Sequence, residues 1–362
     1  MPLSNNDKIA ASCSLLAEKI KEVAPPGARI MEVCGTHTVA VFRHGIRSLL
    51  PEGVRLLSGP GCPVCVTPQS EIDLFIRAAG LKGVILATFG DLIRVPGTKA
   101  SLGEKKAGGA DVKVVLSPLD AVKLAAENPK RQVAFAGIGF ETTAPATAAA
   151  IMAAQAQGLK NFSVICAHKL VPPALTALLA GGKLEIDGLL CPGHVSVIIG
   201  ARAYEPIARD FKLPCVVAGF EAADILLGLY RLFRQMGEKR VEAENAYERA
   251  VSWDGNEKAR RIMHSVFEPA DAAWRGLGTI PASGLAIKDE FAGFDASKRL
   301  GISPEPAPDP PGCLCGQVLT ARITPPRCPL YQKACTPENP VGPCMVSSEG
   351  ACAAYSRYYS PV

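Results

Sequence analysis

Cys62 and Cys65 form a Cys-x-x-Cys pair directly behind Gly59-Pro60-Gly61. Placed just before a helix start, such a pair has a lowered thiol pKa, because the helix dipole favours the thiolate. It can cycle between dithiol and disulfide, or bind a soft metal. Cys34 stands three residues before His37, and a thiolate and an imidazole at that spacing can share a metal or a proton. Cys34, Cys62 and Cys65 are therefore candidate metal ligands, with iron or zinc as the soft metal. The plainer alternatives are a packed pair of small residues at 62 and 65, and a buried cysteine beside a hydrogen-bonded histidine at 34 and 37.

A second concentration of thiols lies at the end of the chain. Six of the 13 cysteines fall in the last 50 residues: Cys313, Cys315, Cys328, Cys335, Cys344 and Cys352. A cluster of this kind reads as a metal or redox site, and four thiolates are what a [4Fe–4S] cluster needs. Cys328, Cys335, Cys344 and Cys352 are the expected ligands, since separations of 7, 9 and 8 residues leave loops able to wrap a cuboidal cluster. Cys313 and Cys315 are too close in sequence to reach two irons easily, and one of them is expected to serve as a redox thiol. Zinc on the same four residues is the rival.

Other polar residues fall where strands end. Glu141 with Thr142 and Thr143 can present a carboxylate and hydroxyls, or simply cap a helix. His168 and His194 suit proton transfer or loop-fixing hydrogen bonds, and Asp91 a structural role. Cys13, Cys166 and Cys215 suit core packing. Gly137-Ile138-Gly139 lacks the third glycine of a dinucleotide fingerprint, and no acid follows the next strand.

These side chains need a frame. Short apolar runs at 29–33, 54–57, 83–87, 112–116, 132–136, 162–166, 188–191 and 215–218 suit strands buried on both faces. Strands alternating with helical stretches predict an α/β fold with parallel sheets. Ligand-binding residues of such sheets gather at the carboxyl ends of the strands. The spacing predicts helices after Cys34, after Thr67 as cap, and over 146–157 up to Gly158. Gly219-Phe220-Glu221 echoes Gly139-Phe140-Glu141, each after an apolar strand. Two α/β lobes are expected at 1–158 and 159–300, with the strand at 29–33 crossing into the second. The charged stretch 237–267 reads as helical and 275–300 as irregular. Five prolines at 304–312 mark a stiff linker into a small separate module at 301–362.

The 362 residues carry 48% hydrophobic and 20% charged residues, a globular composition. A formal charge of +5 over this length does not suggest a nucleic-acid binder. No apolar run is long enough to span a bilayer, and the N-terminus lacks the apolar core of a signal peptide, so no membrane association and a cytoplasmic location are expected.

Read together, Cys34-Gly35-Thr36-His37, Gly59-Pro60-Gly61-Cys62-Pro63-Val64-Cys65, Gly139-Phe140-Glu141-Thr142-Thr143, Pro192-Gly193-His194-Val195 and Cys344-Met345-Val346-Ser347-Ser348-Glu349-Gly350 resemble the HypD family of [NiFe]-hydrogenase maturation factors. The five motifs span nearly the whole chain. The resemblance implies two Rossmann-like lobes around a cleft plus a small C-terminal iron–sulfur domain. It implies a scaffold for assembling the Fe(CN)2CO group, working with a HypC-type chaperone. A HypE-type donor supplies cyanide as thiocyanate, made from carbamoyl phosphate with HypF, and the finished unit passes to the hydrogenase large-subunit precursor. In this picture Cys34 is an iron ligand shared with the chaperone. Cys62 and Cys65 bind iron or exchange electrons with the cluster, and His37, Glu141 and His194 assist at the site. A cluster-linked thiol-disulfide oxidoreductase is the alternative from another class.

Overall fold

The computed structural model describes residues 5–182 and 184–359. Eleven strands are present among them: β1 Arg29–Glu32, β2 Arg55–Ser58, β3 Val84–Thr88, β4 Val112–Val114, β5 Gln132–Gly139, β6 Phe162–His168, β7 Gly188–Pro192, β8 Cys215–Ala218, β9 Ala243–Asn245, β10 Phe267–Trp274 and β11 Gly278–Ile287. The apolar runs become strands because helices cover both faces of each sheet. All five residues of β3 and of β7 are buried, for example.

The strands sort into two parallel sheets and a hairpin. One sheet has the order β2-β1-β7-β8-β9, the other β4-β3-β5-β6, and β10 pairs with β11 alone. The chain thus builds β1 and β2, leaves to complete the whole second sheet, and returns for β7, β8 and β9. Both β1 and β2 belong with the later strands. An expected boundary at 158 does not fit this arrangement, since it would part β5 from β6, which pair from Val133↔Phe162 to Gly139↔His168.

Two stretches differ from the sequence expectation. Within 237–267 the chain forms β9, an edge strand, before the helix Glu257–Val266. The stretch 275–300 contains β11, which is not a continuous apolar run: Thr279, Pro281 and Ala282 are exposed while Ile280 and Leu285 are buried. Thr67 does not cap the helix Gln69–Ala79; Pro68 holds that position, and the Thr67 hydroxyl donates back to the Pro63 carbonyl at 2.8 Å.

The tail is not a separate module. Cys315, Leu319, Cys335, Cys344, Met345 and Cys352 are buried in the same apolar core as Val64, Cys65, Leu74 and Trp274. The proline-rich approach is pinned by ion pairs of Arg77 with Glu305 and of the fully buried Arg275 with Asp309. No described helix is long and apolar enough to cross a membrane.

Candidate functional site

Each parallel sheet has a point where the strand order reverses, and a crevice opens there at the carboxyl ends. In the first sheet it lies between β1 and β7, so Cys34 follows one flanking strand and His194 the other. In the second it lies between β3 and β5, flanked by Asp91 and by Thr142 and Thr143. The two crevices share one cleft of about 320 Å3, lined by Cys34, Gly61, Asp91, Thr142, Thr143, His194 and Glu349 among apolar neighbours such as Val64, Phe89 and Phe140. That volume suits a small ligand.

Cys34 is buried at the start of the helix Gly35–Arg43. Burial, and then the nearby Glu349 carboxylate, push its thiol up to about 12, against hydrogen bonds from Thr36 and the His37 amide that favour the thiolate. An uncompensated thiol here is neutral at pH 7, and a cation in the cleft would reverse that balance. Gly61 packs against this residue so tightly that a Cβ on it would lie 1.6 Å from the Val33 oxygen and 2.4 Å from the Cys34 Cα. A Cβ on Gly35 would meet the Glu349 oxygen at 2.2 Å. Only glycine allows these backbones to meet.

Cys62 and Cys65 are joined as a disulfide, with Cα atoms 5.2 Å apart. They sit at the start of the short helix Pro63–Val66, and both are buried. As a disulfide neither sulfur can ligate metal, so any iron binding by this pair requires its reduction first. The Cys62 sulfur lies 3.3 Å from the Ser347 hydroxyl, which links the pair to the tail.

The segment 347–349 crosses the cleft. Thr36 Oγ1 donates to Glu349 Oε1 at 2.7 Å, and Ser348 Oγ donates to Asp91 Oδ2 at 2.9 Å. Together with the Ser347 contact, the tail touches the Cys34 loop, the Cys62 loop and the loop after β3. Sequence reasoning treated this segment as part of a motif without giving Thr36, Ser347, Ser348 or Glu349 a role. Their signal was the polar Ser-Ser-Glu run between buried cysteines.

His37 and Glu141 lie behind the cleft wall, not on it. Burial lowers His37 to about 4, and its Nε2 faces the Gly219 and Ala218 carbonyls at 2.9 and 3.2 Å. Glu141 Oε1 accepts from the Val171 amide at 2.9 Å, while Oε2 is buried with no hydrogen-bond partner among the described residues. Burial raises this carboxyl to about 7. His168 is buried away from the cleft, its Nε2 3.3 Å from the Thr147 hydroxyl and its ring pushed down to about 3 by desolvation.

In the tail, Cys313, Cys315, Cys328, Cys335 and Cys352 line one small cavity, and Cys344 hydrogen-bonds to Cys315 and Cys352. The six thiols converge, so Cys313 and Cys315 are not set apart from the rest. A Cβ at Gly342 would strike both the Cys313 and Cys315 sulfurs, at 2.6 and 2.8 Å. Val341 donates its amide to the Cys335 sulfur at 3.3 Å. No preformed cage of three or more Cys, His, Asp or Glu side chains stands among the described residues. The chemistry of the donors, thiols only with a backbone amide to one sulfur, fits an iron–sulfur cluster or zinc.

Comparison with known proteins places the chain in one family. Residues 11–359 match the family described as "HypD: Hydrogenase formation hypA family". The chain is 47% identical over 357 residues to the hydrogenase maturation factor HypD of Azotobacter vinelandii, covering 96% of this chain and 94% of that one. It is 46% identical to HypD of Rhodobacter capsulatus, over 97% of this chain and 94% of that one. With HypD of Escherichia coli the identity is 46% over 94% and 92% of the two chains. The thiol at one switch point, the disulfide beside it and the thiol-rich tail thus stand in a chain that belongs to the HypD family of hydrogenase maturation factors.

Proposed function

We infer that this chain is the scaffold on which the Fe(CN)2CO group is assembled. The observation that carries the reading is that Cys34 lines a cleft closed by residues 347–349 of the thiol-rich tail, whose Ser347 also meets the Cys62–Cys65 disulfide. Iron that binds cyanide and CO is low-spin, and thiolate is a suitable donor for it. Cys34 is the ligand from this chain, and a HypC-type chaperone supplies a further donor through the cleft mouth. His194 and Asp91 line the space in which the iron cargo sits.

Cyanide arrives as a thiocyanate on a HypE-type donor. Its release needs two electrons, and the dithiol form of Cys62 and Cys65 holds two. The C–S bond of the thiocyanate breaks, the donor recovers its thiol, hydrogen cyanide leaves, and the S–S bond of Cys62–Cys65 forms. The tail thiols would hold a [4Fe–4S] cluster, which supplies electrons one at a time. This chain's part is to keep Cys62 beside Ser347 so that the pair and the tail remain in contact. Glu141, raised to about 7, is the buried group that can hold a proton behind the wall, and His37, lowered to about 4, stays a neutral imidazole.

The same disulfide-to-tail contact favours a second reading, a cluster-linked thiol-disulfide oxidoreductase. An infrared spectrum of the anaerobically purified complex with the chaperone separates the two, with iron, sulfide and zinc analysis on the same sample. Bands of bound cyanide and CO are expected. Their absence in a sample that holds the cluster and cycles its disulfide would favour the oxidoreductase.

A further inference from the structure

The motif Gly219-Phe220-Glu221 repeats one that lines the cleft, yet none of its residues is on the lining. It follows β8, the neighbour of β7, which in turn neighbours β1. Three adjacent strand ends therefore deliver three rings: His37 after β1, His194 after β7 and Phe220 after β8. The Phe220 ring lies 4.7 Å from the His37 ring and 3.9 Å from the His194 ring, tilted 33° and 31°.

His194 lines the cleft with its side chain exposed, and its ring nitrogens make no hydrogen bond among the described residues. Stacking on Phe220 is thus what sets its orientation. Phe220 is itself held. Tyr247 meets it edge-on at 6.4 Å, and the Arg249 guanidinium lies 4.7 Å over the Tyr247 ring. Arg249 pairs in turn with Asp224, whose carboxylate also accepts from the Glu221 amide at 3.3 Å. On the other side, His37 Nε2 donates to the carbonyls just before Phe220. Gly193 permits the approach, since a Cβ there would meet the Ala218 oxygen at 2.6 Å and Phe220 Cε2 at 3.2 Å. A free imidazole on a cleft wall samples several rotamers; one stacked against a fixed ring holds a single orientation.

We propose that Phe220 is a positioning residue, whose ring, clamped between His37 and His194, aims the His194 imidazole into the cleft as hydrogen-bond donor to the nitrogen end of a cyanide-type ligand held beside Cys34. The ligand class rests on the maturation reading above; the clamp does not.

The test compares Phe220→Leu, which removes the ring, with Phe220→Tyr, which keeps it, both checked for an unchanged unfolding midpoint. Histidine ring signals are followed by NMR against pH in the protein without iron, with His194→Gln identifying the signal. Burial holds the wild-type His194 pKa below the ordinary value. It should rise by about half a unit in Phe220→Leu and stay near wild type in Phe220→Tyr. An unchanged pKa in folded Phe220→Leu would overturn the clamp. The second arm is the infrared spectrum of iron-loaded protein in complex with the chaperone. Phe220→Leu should retain iron and displace or broaden the cyanide band, with Phe220→Tyr close to wild type. An unchanged band beside a shifted pKa would overturn the ligand assignment alone. If wild type shows no cyanide band, the maturation reading fails, and the NMR result still decides the clamp.

Discussion

Two acids, Glu141 buried and Glu349 partly buried, show how position sets chemistry at single residues. Glu141 has one oxygen on the Val171 amide and the other without a partner among the described residues, and burial raises it to about 7. A carboxyl whose pKa is higher in the folded than in the unfolded chain binds more protons when folded. Its contribution to stability is therefore fully present below the unfolded value and is lost as pH rises towards 7. From pH 5 to pH 8 the wild type should lose up to roughly 3 kcal/mol relative to Glu141→Gln. Denaturant unfolding of both proteins at the two pH values reads this; parallel curves would contradict it. Glu349 raises the Cys34 pKa by its charge, as the second cause after burial. Glu349→Gln should therefore make Cys34 react faster with iodoacetamide near neutral pH, by about threefold to tenfold. Peptide mapping of the alkylated protein checks this, and an unchanged or slower rate would contradict it.

At the scale of elements, the loops after β1 and β2 are built backbone against backbone. Gly61→Ala places a methyl inside the Val33 carbonyl, and no flexible side chain can yield there. A loss of about 2 kcal/mol or more is expected, together with a Cys34 that alkylates freely. Equal unfolding midpoints would show that the close approach is not required. The Gly-Pro-Gly ahead of Cys62 was legible in the sequence, but its partners were not, because contacts between 33–35 and 61 or 349 depend on the tertiary fold. The eight apolar runs were legible because buried parallel strands are continuously apolar. β9 and the hairpin were not: β9 is a three-residue edge strand with no fully buried residue, and β11 mixes exposed and buried positions. Cys34, Cys62, Cys65 and His194 were legible as strand-end residues. The burial of His37 and Glu141 behind the wall was not, since sequence spacing cannot say which side of a strand-end helix faces a cleft.

The last 60 residues of the chain help to tie the whole molecule together. The expected linker and module join the main core because Cys315, Cys335, Cys344 and Cys352 are buried with Val64 and Cys65, and the buried Arg275 holds the exposed Asp309 of the linker. A chain ending at 300 should therefore be strongly destabilised and expose Cys34 and Cys65. Limited proteolysis of the intact protein should not release a stable 1–300 fragment; recovery of such a fragment with native unfolding behaviour would restore the picture of a detachable module. The same closure explains how one cleft can draw on two sheets and a thiol-rich tail. Residues 347–349 touch Thr36, Cys62 and Asp91 at once, so the loop of Cys34, the Cys62–Cys65 disulfide and the second sheet share one short segment. The central claim is that Cys34 holds the iron cargo there. Its most direct measurement is the infrared spectrum of Cys34→Ala beside wild type, each purified anaerobically with the chaperone and matched for tail iron and sulfide. The account predicts cyanide and CO bands in wild type and none in the variant, with the tail cluster unchanged. Bands of equal strength in a folded Cys34→Ala protein would contradict it.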